Sequence, residues 1–476
     1  MTSTFANQTQ VFTVDTELDF KTGREEIKVT NLTKISMNRA ILMMAIPATG
    51  SMLIESLYQV VDIFWIGKLG TVPVASSTAA SFFLWFLFSL ANIPAIAANT
   101  LVSQAVGSNA LSRTALHVRN CVKISLIISF VLMSVCFVSY RIVAELLGLE
   151  PVVIDGIEDY ITPWLLFLPV VMLMMPLISA IRGSGDAKTP LLISIGCVCL
   201  NLVLDPLLIF GFGFFPKLGL AGAAWASVIC HLVGVVLAIM VLKKKTMWLI
   251  RPGSQSQFLE WRSVKRIFAI GLPISVNGIV FSGTYAGLTA IIAGFGTVSV
   301  AAIGIGTRIE FVPWYINYGF AIAAATLMGQ YLGADQVDKA EQISWRSCQL
   351  ALIANILFFV VIWTGSDFII GFFTTDILVI RETSVYLKII SVCWLIGVFE
   401  VVLEGAYSGA GYTIPAMVVG VTLTLLRIPI AYFLAVKTEF EVISVWLAIG
   451  STMVLKGAIL GIWFKTGRWK QHVKLS

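Results

Sequence analysis

Long apolar stretches dominate this chain, and Gly, Pro or charged residues cut them at near-regular intervals. Stretches of this kind, ~20 residues or more, are long enough to cross a bilayer as helices. Twelve are predicted. In the first half they run over 37–66, 72–105, 117–141, 159–181, 188–213 and 222–243. In the second half they run over 263–294, 298–331, 345–369, 384–408, 412–436 and 442–465. The pattern predicts an all-α polytopic membrane protein with twelve transmembrane helices. Residues 1–36 are polar and precede the first apolar run, so they read as a tail and not as a signal peptide.

The second half repeats the first. Pro47 and Pro273 each open a helix after an apolar residue and lie 226 positions apart. At the same offset Gly70-Thr71-Val72 matches Gly296-Thr297-Val298, Gln104 matches Gln330, and Gly107 matches Gly333. Gly183-Ser184-Gly185 likewise matches Gly409-Ala410-Gly411. Six helices per half is an even number, so both halves insert with one orientation, as parallel repeats about an axis along the membrane normal. The expected organisation is a tail at 1–36, an N-lobe at 37–245, a linker at 246–262, a C-lobe at 263–465 and a tail at 466–476. Two rocking bundles around a central cleft suit alternating access.

Composition narrows the class further. Of 476 residues, 58% are apolar and 12% are charged, about half the charge of a soluble globular domain. A soluble enzyme, a disordered chain and a nucleic-acid binder are excluded. The 32 basic residues against 26 acidic ones are therefore topology signals. Both tails and the even-numbered loops hold 23 of the bases, and the opposite loops hold 6. Both termini are expected in the cytosol, with the chain in the cell membrane. The seven cysteines lie almost all in apolar runs and read as packing residues. Cys197-x-Cys199 is too close for a metal clamp and has no His or acid beside it, so no metal site is expected among them.

Polar groups at membrane depth are costly and mark functional candidates. Glu55, Tyr58, Gln59 and Asp62 share one face of the first helix. On the fifth, Asn201 and Asp205 lie one turn apart and Pro206 follows, which frees backbone oxygen near Asp205. Ser227 and His231 share a face of the sixth. Such groups also serve as interhelical glue, a reading that fits Ser227 and His231 better than two aspartates, since a neutral side chain is cheaper to bury. The aspartates suggest a proton or cation site. In the second half Leu288 stands at the repeat position of Asp62, and Ile428 precedes Pro429 as Asp205 precedes Pro206; that half instead carries Arg308, Glu310, Glu400, Glu404, Arg427 and Lys456. Arg308–Glu310 and Arg427–Glu404 are expected as ion pairs that fix helix register, with Glu310, Glu400 and Glu404 as secondary site candidates.

At these residues the chain resembles the MATE (multidrug and toxic compound extrusion) transporters over roughly 37–465. The matching elements are Ile46-Pro47, Tyr58-x-x-x-Asp62-x-Phe64-Trp65-x-Gly67, Arg182-Gly183-x-Gly185-Asp186-x-x-Thr189-Pro190 and Asn201-x-x-x-Asp205-Pro206. They continue in Gly222-Ala223-Ala224-x-Ala226-Ser227, Gly329-Gln330-x-x-Gly333-Ala334 and Arg427-x-Pro429. Asn-x-x-x-Asp resembles the DinF-like branch, which implies an ion-coupling site at Asp62, Asn201, Asp205 and Ser227, where the family usually has Thr at the last position. Pro47, Tyr58 and Tyr160 match cleft positions of that branch. Val280-Phe281-Ser282, where the NorM-like branch places an acid, argues against a site of that type. Glu55 departs from the neutral residue usual in the family.

The resemblance implies an antiporter of amphipathic, cationic organic compounds, coupled to H+ or Na+, with no other cofactor. It implies small organic substrates and a lipid bilayer as partners, no nucleic acid, and a monomer. Two rivals share the layout. A lipid-linked glycan flippase is expected to need a more basic cleft. A major-facilitator transporter is expected to carry a Gly…Asp-Arg-x-Gly-Arg loop, where this chain reads Gly107-Ser108-Asn109-Ala110-Leu111-Ser112-Arg113.

Overall fold

The computed structural model describes residues 17–18, 21–22, 25–26, 29–146, 148–213, 215–245, 260–437 and 441–475. Two-residue strands at Glu17–Leu18 and Val29–Thr30 pair around a second pair at Lys21–Thr22 and Glu25–Glu26. A single turn of 3-10 helix follows at Leu32–Lys34. Everything else regular among the described residues is helical.

The N-terminal bundle comprises α1 (Met37–Gly67), α2 (Thr71–Gly107), α3 (Leu111–Leu146), α4 (Pro151–Leu166), α5 (Leu168–Val171), α6 (Met174–Gly183), α7 (Lys188–Phe210) and α8 (Leu220–Lys244). The C-terminal bundle comprises α9 (Trp261–Ala293), α10 (Thr297–Gly333), α11 (Val337–Gly371), α12 (Ile377–Ala410), α13 (Ile414–Lys437) and α14 (Ile443–Lys465), followed by α15 (Arg468–Leu475). Among the described residues eleven helices are long and apolar enough to span a membrane, and a bent pair, Pro151–Leu166 with Leu168–Gly183, supplies a twelfth.

The fourth span, expected as one helix over 159–181, is broken by 61°. Pro163, Pro169 and Pro176 each remove a backbone donor, and the chain yields at Phe167. The expected linker also ends early, because α9 begins at Trp261; residues 246–259 lie outside the described residues. The prolines of α1 and α7 sit inside continuous helices. At Pro47 the Ser51 hydroxyl donates to the proline carbonyl over 3.1 Å.

The bundles interlock at the face that carries both termini. Ile41 and Met44 of α1 lie in the core of the C-terminal bundle with Phe320, Val398 and Tyr407. Their repeat equivalents on α9, Ile267 and Ile270, lie in the N-terminal core with Ile93, Cys121 and Ile181. Glycines let the backbones meet there. A Cβ on Gly107 would stand 2.0 Å from the Gln330 carbonyl oxygen, and one on Gly333 would stand 2.1 Å from that of Gln104. The seam is thus reciprocal about the pseudo-two-fold axis, and it seals the two bundles together at this face.

Candidate functional site

Three helices of the N-terminal bundle bring the polar cluster together. The stretch of α1 beyond Pro47 packs against α7, and α8 lies beside both. Asp62, Asn201, Asp205 and Ser227 are all buried. The Ser227 hydroxyl donates to Asp62 Oδ2 over 3.3 Å. The Asn201 side-chain amide donates to Asp205 Oδ1 over 2.9 Å. Asp62 and Asp205 face each other across the gap between α1 and α7.

Asp62 Oδ1, Asp205 Oδ2, Asn201 Oδ1 and Tyr58 Oη are buried with no hydrogen-bond partner. A buried polar atom without a partner is costly, and two facing carboxylates in a dry setting repel. One small positive charge among these oxygens answers both problems. The donor set, all oxygen with two carboxylates, suits a proton or a hard cation such as Na+.

The remaining N-terminal candidates surround this cluster. Tyr160 on α4 is buried within electrostatic reach of both aspartates. The Tyr58 ring stands edge-on to His231 with centroids 6.2 Å apart, and Trp164 meets the same imidazole at 5.3 Å. His231 Nδ1 lies 2.8 Å from the Ser227 carbonyl oxygen, so this histidine braces α8 and the tyrosine. Pro206 lies in α7 immediately after Asp205. Glu55 and Gln59 are exposed, and Glu55 lies within electrostatic reach of Arg182 and Ser194.

The C-terminal acids form a separate network, and the two expected ion pairs are not the ones made. Lys456 pairs with Glu400 at 3.0 Å. Glu404 accepts from the Asn277 amide at 3.3 Å, Glu310 accepts from the Tyr386 hydroxyl, and Arg427 donates to Thr452 at 2.9 Å. Arg308 and Glu310, two residues apart on a helix, project in different directions. Lys456 was the missed partner, since no spacing rule links it to Glu400 across 56 residues.

The sequence model of the MatE family matches residues 47–207 and 273–433, one match in each bundle. The chain is similar to the probable multidrug resistance protein NorM of Thermotoga maritima, at 21% identity over 92% of this chain and 95% of that one. It is also similar to an FAD transporter of Shewanella oneidensis, at 24% identity over 74% of this chain and 78% of that one. Among solved structures, a MOP superfamily transporter from Pyrococcus furiosus superposes with a TM-score of 0.83 at 19% identity, covering 93% of this chain and 97% of that one. A multidrug resistance MATE family transporter in an outward-facing conformation superposes with a TM-score of 0.84 at 20% identity, covering 94% and 98%. With both halves of the chain matched in register, this protein belongs to the MatE family of membrane transporters rather than to any enzyme class.

Proposed function

We propose that this protein is a secondary antiporter that expels amphipathic, chiefly cationic, organic compounds in exchange for H+ or Na+ by alternating access. The observation that carries this reading is the set of four unpartnered oxygens of Tyr58, Asp62, Asn201 and Asp205 buried between α1, α7 and α8. A coupling ion arriving there neutralises Asp62 and Asp205 together. Because Asp62 and Pro47 share α1, filling the site changes how that helix rests on α7 and α8. Exposed Glu55 on the same helix adds negative potential that favours cationic substrates. The face with both termini is cytosolic in this reading, the membrane is the cell membrane, and the bundles are closed toward the cytosol.

A second reading, export of an anionic organic compound, is favoured by Arg182, whose buried Nε has no partner and which lies within electrostatic reach of Glu55. The similarity to an FAD transporter points the same way.

The experiment is exchange in proteoliposomes, with a proton gradient and a sodium gradient imposed separately and ethidium or FAD as cargo. One gradient drives ethidium transport in the wild type, and Asp62→Asn and Asp205→Asn both abolish it. Ethidium transport that persists in both variants refutes the ion site. Movement of FAD alone replaces the cationic reading with the anionic one.

A further inference from the structure

The N-terminal tail makes contacts that the transport reading does not use. Thr30 N–H donates to the Ser184 carbonyl in the N-terminal bundle over 3.1 Å. Two residues on, Leu32 N–H donates to Gln330 Oε1 in the C-terminal bundle over 2.9 Å. Gln330 Nε2 returns a bond to the Thr30 carbonyl over 3.3 Å. Leu32 is fully buried in the C-terminal core. Asn31 shapes the turn by accepting from Thr33 N–H over 3.1 Å and from the Thr33 hydroxyl over 2.6 Å. One short segment therefore grips both bundles at the sealed face.

The internal repeat explains why the seat exists. Gln104, the equivalent of Gln330, donates to the Gly409 carbonyl over 2.9 Å and accepts from Arg266 over 3.1 Å. The repeat equivalent of Arg266 is Ala40, which has no donor to offer. On that side of the axis the tail backbone supplies the missing donor, at Leu32. Its path is open because position 185 is glycine: a Cβ there would stand 2.4 Å from the Thr30 carbonyl oxygen. A side-chain donor stays with its helix, whereas a tail can leave.

From this asymmetry we infer that Thr30–Lys34 is a detachable strap that holds the two bundles closed at the terminal face and must leave its seat before they part there. The strap acts on the equilibrium between the closed and open arrangements, so it works whatever the cleft carries and whichever ion drives it. Its release sets how readily the terminal face opens.

The test measures spin-label distances between Ser112→Cys and Lys339→Cys, exposed positions on opposite bundles at that face, in a Cys199→Ala background. Leu32→Asp, Gln330→Ala and deletion of residues 2–33 are each compared with the parent. The expected result is a longer-distance population in all three, with an open-to-closed ratio raised about tenfold for Leu32→Asp, the size expected when one buried leucine seat is lost. In Leu32→Cys/Gln330→Cys, oxidised before labels are attached through reductant-stable thioethers, the short distance is held and reduction restores opening. Unchanged distances in Gln330→Ala and in the deletion overturn the strap, as does free opening of the oxidised pair. Because these distances need neither substrate nor gradient, their outcome is separate from that of the exchange assay.

Discussion

Asn201 and Asp205, one turn apart on α7, are tied by an amide-to-carboxylate hydrogen bond of 2.9 Å, while the amide oxygen of Asn201 and the second carboxylate oxygen of Asp205 are buried without a partner. The bond aims Asp205 and leaves it able to receive a charge. Asn201→Ala removes both the aiming donor and one oxygen ligand. Losing one oxygen ligand and the aim of another weakens cation binding by an energy of the order of a hydrogen bond to a charged group, ~1.5–3 kcal/mol, so with Na+ as the coupling ion its concentration for half-maximal exchange rises at least about tenfold while substrate affinity stays near wild type. Ser227→Ala, which loses a longer bond of 3.3 Å to Asp62, raises it about two- to fivefold. Titrating exchange rate against ion at fixed substrate checks both. A shift in substrate affinity with unchanged ion dependence refutes the assignment.

Glu55 stands two turns before Asp62 on the same helix and is exposed, whereas Asp62 is buried. In the proposed transport cycle its charge acts on cargo. Glu55→Gln weakens export of monovalent organic cations about tenfold relative to neutral compounds, a ~1.4 kcal/mol change of the kind one partly screened charge makes. Its ion titration matches the wild type. Transport rates for a cationic and a neutral dye, measured side by side, decide the matter; loss of all transport would sink the division of labour.

Much of this was legible in the sequence because membrane burial makes polarity informative. Asp62, Asn201, Asp205 and Ser227 stood out as polar positions on apolar helices, and the structure brings those four together. The break in the fourth span was hidden, since three prolines in an apolar stretch fit a bent helix as well as a straight one. Side-chain partners across bundles were hidden too. Lys456 meets Glu400, and Gln330 meets Leu32, through packing that no local spacing encodes. The 226-residue offset nevertheless contained the strap's logic, because it sets Ala40 opposite Arg266.

Glycines at superficially similar contacts separate folding from switching. Gly405 lies within the C-terminal bundle, where a Cβ would stand 2.2 Å from the Ala321 carbonyl oxygen. Gly107 makes its tight contact across the seam between bundles. Gly405→Ala lowers stability by ~1–3 kcal/mol, because the strain has no exit. Gly107→Ala relieves its clash by parting the bundles, so thermal stability falls less while the terminal face opens. Melting temperature in detergent, read beside thiol accessibility of a cysteine at Ser112, distinguishes the two; equal losses of stability without opening contradict it.

The Lys456–Glu400 pair, at 3.0 Å with the lysine 3% exposed, braces α14 against α12. Removing the lysine strands the partly buried Glu400, 16% exposed, so Lys456→Met costs about 3 kcal/mol, the low end for a stranded charge. The double variant Lys456→Met/Glu400→Leu regains most of that loss, because no unpaired charge remains. Denaturation midpoints of the single and double variants in one detergent check this. A double variant no better than Lys456→Met indicates that the pair's geometry, and not the stranded charge, sets the stability.

Asp186 joins the start of α7 to the end of α8 outside the spans. It accepts from Thr189 N–H at 3.0 Å and from the Thr189 hydroxyl at 2.6 Å, and it pairs with Lys245 at 3.1 Å. Burial pushes its carboxyl up, but the Lys245 ammonium and the Thr189 bonds outweigh that and hold it below the ordinary value of 3.8. A carboxyl lowered in the folded state adds stability that is fully present above its unfolded value and fades as pH falls through the folded one. Asp186→Asn therefore loses about 1 kcal/mol at neutral pH. Wild type and variant converge only as the medium is acidified below the ordinary carboxylate value. Paired melting curves from neutral to acid pH measure the gap directly. A gap that stays constant down to about pH 3 shows that Asp186 contributes through packing rather than charge.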